Sequence, residues 1–109
     1  MEKGFFDLED VPWAAVRPEL TSGVLGRTLF ADRQLRLVWV RVEPGGEFRG
    51  HRDPYPHLFV FLQGEGEFRL GEERHAIRPG RVVQVPAGTA HGYRNTGTED
   101  LLLLSGNLP

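Results

Sequence analysis

The stretch GHRDPYPHLFVFLQGEG, residues 50–66, places His51, Asp53 and His57 within seven positions, beside two prolines and just ahead of an apolar run. A further histidine, His91, follows in the segment PAGTAHGYRN. Imidazole and carboxylate are the side chains that bind divalent transition metals when several aim at one point, and they are ordinary loop polars when they do not. Spacing alone leaves both readings open. The elements carrying these residues decide between them.

Glycine and proline interrupt the chain at Pro44-Gly45-Gly46, Gly64, Gly66, Gly71, Pro79-Gly80, Pro86, Gly88 and Gly97. The intervening stretches 34–42, 57–62, 67–70, 81–85, 91–95 and 101–105 are short and rich in Val, Leu and Phe, the pattern of strands bounded by turns. No window after Leu20 keeps a helical period, so an all-β sandwich or barrel is expected. The segment Val11–Val16 is read either as a single helical turn begun at Pro12 or as an irregular arm. Gly71-Glu72-Glu73 is expected to close a tight hairpin. Residues 1–20 are taken as an N-terminal arm and 21–109 as one domain, within reach of 109 residues. The run Leu101–Leu104 is apolar at every position, so its strand should be covered on both faces. A second subunit would supply that cover, and a homodimer is expected.

Side chains alternate along a strand. Arg49, His51 and Asp53 share a face if their strand continues; so do His57, Phe59, Phe61 and Gln63, and so do His91, Tyr93 and Asn95. A closed barrel could turn a histidine from each of three strands toward one interior point.

Two segments carry a family resemblance. Gly45-x5-His51-x-Asp53-x3-His57-x6-Gly64 resembles the first motif of the cupin superfamily, G-x5-H-x-H-x3 or 4-E-x6-G. Gly80-x5-Pro86-x-Gly88-x2-His91-x3-Asn95 is similar to the second motif at every fixed position. The resemblance implies a small antiparallel β-barrel, or jelly roll, with a metal held inside by residues of both motifs. It carries His51 and His91 over directly. Asp53 stands where the family has histidine and His57 where it has glutamate, so three imidazoles and one carboxylate remain. Aspartate is short for its place and is expected to reach the ion last, after His57.

Such a donor set suits one divalent ion of Fe, Mn, Ni, Co, Cu or Zn, without choosing among them, and disfavours Mg and Ca. Open coordination positions would fit an oxygenase, isomerase or lyase acting on a small molecule; a binding or sensing module is the alternative. Phe59, Phe61 and Tyr93 are expected to line the pocket, with the Tyr93 phenol the candidate catalytic donor. Arg49, Gln84 and Trp39 are further wall candidates, although the strand 34–42 puts one arginine on each face. His75 is expected at the surface, and Asn95 within its own turn.

Composition narrows the rest. There are no cysteines, which removes thiolate chemistry, and the net charge of −2 with interspersed signs argues against nucleic acid. No apolar run is long enough for a membrane span and the N-terminal residues do not resemble a signal peptide, so a cytoplasmic protein is expected. Twelve of the thirteen basic residues are arginine, and heat-labile residues are scarce. That bias suits a thermophile.

Overall fold

The computed structural model describes residues 4–109, so the first three residues of the expected arm lie outside the described residues. A 3-10 turn, Leu8–Asp10, precedes nine strands: β1 Ala14–Ala15, β2 Thr21–Ala31, β3 Arg36–His51, β4 His57–Gln63, β5 Gly66–Leu70, β6 Glu73–Ile77, β7 Val82–Val85, β8 His91–Asn95 and β9 Leu101–Asn107. Every pairing is antiparallel. The fold is an all-β jelly roll. Among the described residues no helix is long and apolar enough to cross a membrane.

One bent strand organises it. Pro44 has no N–H to give to a ladder, and around it β3 slips register against β2 between Ser22 and Val24. Before the bulge, Arg36–Val42 pairs with β9; after it, β3 pairs with β8 from Glu47 to His51. The strand thereby belongs to two curved layers, β7-β4-β9-β3 and β6-β5-β8-β3. The sequence marked Pro44-Gly45-Gly46 as a break, and it proves to be a bulge inside one strand. β2 escaped the sequence reading because TSGVLGRTLFA mixes polar and glycine positions into its alternation.

The core lies between the layers. Val38, Val40 and Val42 point inward from β3, Leu101 and Leu103 from β9, and Phe59 and Phe61 from β4, against Phe68 of β5 and Tyr93 of β8. The Phe61 and Phe68 rings meet edge-on at 6.1 Å across the gap. Leu102 and Leu104 point to the outer face, where they are only partly covered.

No helical turn forms at Val11–Val16. The 3-10 turn lies earlier, and Ala14–Ala15 instead pairs with Leu25 and Gly26 of β2. Gly26 permits this approach: a Cβ there would come within 2.7 Å of Val16 Cγ2 and 2.8 Å of Val38 Cγ1. The hairpin at Gly71 forms as expected between β5 and β6.

Candidate metal centre

His51 ends β3 and lies directly opposite His91, the first residue of β8. Their ring centroids are 4.4 Å apart, and those of His57 and His91 are 4.7 Å apart. His57 opens β4, so three strand ends bring three imidazoles together. Asp53 follows β3 on a loop that Gly88 holds, its N–H donating to the Asp53 carbonyl at 2.8 Å. The turn of the second motif thus anchors the carboxylate of the first. All four side chains are buried or nearly so.

Each imidazole is oriented from behind. His51 Nδ1 donates to the Arg49 carbonyl at 2.9 Å, His91 Nδ1 to the Thr89 carbonyl at 2.9 Å, and His57 Nδ1 to the Asn107 amide oxygen at 2.7 Å. Each ring also lies nearly parallel to a phenylalanine: His51 on Phe48, His57 on Phe59 and His91 on Phe68. With Nδ1 protonated, a neutral ring presents its lone pair at Nε2, the tautomer that metal ligation uses.

The carboxylate then tests whether a cation fits. Asp53 Oδ2 lies 3.0 Å from His51 Nε2 and 2.9 Å from His57 Nε2. Two ring lone pairs against a carboxylate oxygen repel, so this junction requires positive charge, either as second protons on the rings or as a metal ion. The donor set therefore fits a divalent transition metal. One ligand atom each from His51, Asp53 and His91 forms a grouping in which all lie within 4.8 Å of one another. His57 falls outside that grouping. The sequence placed Asp53 last for want of reach, but leaving the strand for a loop carries its carboxylate forward.

Arg17 completes the electrostatics. Its Nη1 donates to Asp53 Oδ1 at 2.9 Å. Burial pushes the Asp53 carboxyl up, but the Arg17 hydrogen bond and the charges of His51, Arg17 and His57 outweigh it and hold the group below its ordinary value. Burial lowers His91 to about 4, keeping that ring neutral. Burial raises the Tyr93 phenol, which retains its proton.

These residues floor a cavity of about 210 Å³, small for a ligand site, walled by Phe48, Tyr55, Phe59 and Tyr93 and closed on one side by Ala14–Arg17 of the arm. Phe59 and Tyr93 stand where the sequence put them. Phe61 is fully buried in the core below the cavity. Trp39 and Gln84 project from the outer face, because the inward set of β3 is Val38, Val40 and Val42 and because Gln84 pairs with outward Leu58. Arg49 turns away to donate to the Glu19 carbonyl at 2.7 Å. Arg36, not Arg41, is the arginine of β3 that lines the cavity. Arg17, Asn107, Tyr55 and Phe48 went unread; only the aromatic flanks of the histidine segment hinted at the last two. His75 is half-buried at the surface and bonds Glu73, and Asn95 accepts from Gly97 N–H within its turn.

The cupin domain family matches residues 38–106, well over half of the chain. The chain is a cupin. It is 31% identical over 99 residues to auxin-binding protein 1 of Arabidopsis thaliana, covering 81% of this chain and 50% of that one. It is 30% identical over 91 residues to the dimethylsulfoniopropionate lyase DddW of Ruegeria pomeroyi, covering 79% and 60%. Against 5-nitrosalicylic acid 1,2-dioxygenase of a Bradyrhizobium species it is 31% identical over 62 residues, covering 57% and 30%. The cupin thus spans less than two thirds of each of these relatives. A predicted oxalate decarboxylase from Thermotoga maritima superposes with a TM-score of 0.86 at 20% identity, over 96% of this chain and 98% of that one.

Proposed function

We propose that this cupin is a cytoplasmic, metal-dependent enzyme, an oxygenase, isomerase or lyase, that acts on a small molecule and works as a homodimer. Residues 21–109 form its barrel domain and residues 1–20 its arm, of which Ala14–Arg17 help to close the site. His51, His91 and Asp53 hold the ion, with His57 beside them. The observation that carries this reading is the set of three Nδ1–H donations, which turns each Nε2 toward Asp53 or the cavity. A bound divalent ion would supply Lewis acidity or, for iron, copper or manganese, redox chemistry.

The chain's own residues do the rest. Phe48, Phe59 and Tyr55 exclude water and give the ligand an apolar surface. Tyr93 keeps its proton and offers a hydrogen bond to an oxygen of the ligand. Asp53 stays ionised between Arg17 and the histidines. The names of two relatives, a lyase and a dioxygenase, support an enzyme on this scaffold. A second reading, a module that binds a small ligand without turnover, is supported by the likeness to auxin-binding protein 1.

Elemental analysis of protein purified without a chelating tag tests the centre: close to one transition metal per chain is expected, and little in His91→Ala. Oxygen uptake and product analysis on the loaded protein then separate turnover from simple binding. A metal-free preparation that takes up no transition metal would end the proposal.

A further inference from the structure

The charges that line the cavity do not balance. Among the described residues that line it Asp53 is the one carboxylate, and Arg17 already occupies one of its oxygens. A second guanidinium, that of Arg36, lines the same cavity from the mouth, where it is exposed. Among the described residues its one polar contact is long, Nη2 to Thr28 Oγ1 at 3.5 Å. Among the described residues no carboxylate lies within ion-pair distance of it. A bound divalent cation would deepen the positive excess.

Register fixes where Arg36 stands. It pairs with Asn107 on β9, and Asn107 pairs with His57 on β4. The three share one inward-facing row, two strand spacings from end to end, so about 10 Å separates the backbones of Arg36 and His57. Between them the row offers the Asn107 amide, and the row beneath offers Ser105. A small ligand resting on the histidines therefore extends toward the guanidinium across polar groups, with the aromatic walls on its flanks. Guanidinium recognises planar anions by two parallel N–H donations, which suits a carboxylate.

We propose that the cavity takes a small organic carboxylate whose anionic group is anchored by Arg36, away from the histidine end. The inference rests on the reading of this cavity as a ligand site, and it names the ligand's class and its specificity-determining residue. The residue is unlike Arg17, which is engaged with Asp53 and serves the metal end.

Calorimetric titration with formate, acetate, butyrate and benzoate, each beside its uncharged amide, tests it on protein of recorded metal content. At least one carboxylate is expected to bind tenfold or more tightly than its amide. Arg36→Gln should weaken that carboxylate at least tenfold while leaving the amide and the metal content unchanged, and Arg36→Lys should restore part of the loss. A carboxylate held by the metal alone would keep its preference in Arg36→Gln, and that result overturns the proposal. Equal binding of acid and amide throughout the series overturns it as well. Metal retained in either case leaves the metal centre standing, so the two readings fail separately.

Discussion

Arg17 and Asp53 are joined by a hydrogen-bonded ion pair across 36 positions of sequence, Nη1 to Oδ1 at 2.9 Å. The pair is held at a cost in the backbone. Arg17 has φ of +39°, the left-handed region, and stands immediately before Pro18, where extended conformations are favoured. Strain of this kind, about 1–3 kcal/mol, persists where the surroundings impose it. Here the Leu20 N–H donates to the Arg17 carbonyl and the Thr21 hydroxyl to the adjoining Val16 carbonyl, and together they fix the turn. By occupying Oδ1, Arg17 leaves Oδ2 to face the histidines. Arg17→Gln is therefore expected to lower metal affinity by about 10- to 100-fold, the usual effect of removing an outer partner of a ligand. Competition with a chromophoric chelator reads this directly, and unchanged affinity would show that Arg17 merely decorates the rim.

Asn107 plays the corresponding part for His57. Its amide oxygen accepts from Nδ1 at 2.7 Å, and the strand register β4 to β9 sets the two side by side. In Asn107→Leu the ring keeps its stack on Phe59 but loses the acceptor at Nδ1, and either nitrogen can carry the proton. Nitrogen-15 imidazole shifts should pass from one dominant tautomer at residue 57 to a mixture. Persistence of a single Nδ1–H tautomer in that variant would remove Asn107 from the account.

Acid should destabilise the metal-free protein in a defined window. His91 is depressed from 6.5 to about 4 in the folded state by burial, so the unfolded chain binds more protons between those values. Its contribution is full above about pH 6.5 and is lost as pH falls through about 4, amounting to about 3 kcal/mol. Asp53, also held low, adds a loss of the same sign below its ordinary 3.8. Denaturant melts from pH 7 to pH 4 check this, with His91→Gln expected to flatten most of the slope. A slope that survives intact in His91→Gln assigns it elsewhere.

Much of this site could be read from the chain. The paired motifs fixed His51, Asp53, His57 and His91 because a barrel must bring their turns to one end, and the alternation along β4 and β8 placed Phe59 and Tyr93. What stayed hidden depends on long-range register. Neither Arg36 nor Arg41 is marked as inward by the pattern RLVWVRV, and only pairing with β9 turns Arg36, Val38 and Val40 toward the cavity. Arg17 and Asn107 lie near opposite ends of the sequence, outside both motifs, and meet the site through strands whose partners no local pattern names. The position of Asp53 was hidden as well: alternation along a strand cannot place it, because β3 ends at His51.

The outer sheet face carries an apolar strip. Trp39, Leu104, Val60 and Val82 form one row across β3, β9, β4 and β7, beside Leu58, which is 39% exposed, and Leu62, which is 40% exposed. Arg27 and Arg41 border the strip at the Trp39 end, and pairing of two copies about a two-fold axis would cover its apolar part. Sedimentation equilibrium is expected to give a dimer for the native chain and a monomer for Leu58→Lys/Val82→Lys. Being at the surface, these changes should move the monomer's own stability by no more than about 0.5 kcal/mol each. A native chain that sediments as a monomer at every concentration removes the pairing.

Gly92 offers the sharpest test of the link between strand packing and the centre. It follows His91 on β8, and a Cβ built there would lie 2.8 Å from Phe48 O, 3.0 Å from Gly50 N and 3.1 Å from Arg49 C. All three are backbone atoms of β3, so no rotamer change can relieve the contact and the strands must part. That overpacking should cost about 1–3 kcal/mol. Because His51 and His91 are cross-strand partners, the same movement spreads the two imidazoles. Gly92→Ala is thus expected to lower the melting temperature of the metal-free protein and, separately, to weaken metal binding at least tenfold. Gly50→Ala supplies the control, since a Cβ there meets nothing within 4 Å, and it should leave both quantities nearly unchanged. If Gly92→Ala loses stability yet binds metal as tightly as the native chain, the ion does not depend on the His51–His91 spacing, and the ligand set must be drawn from other residues.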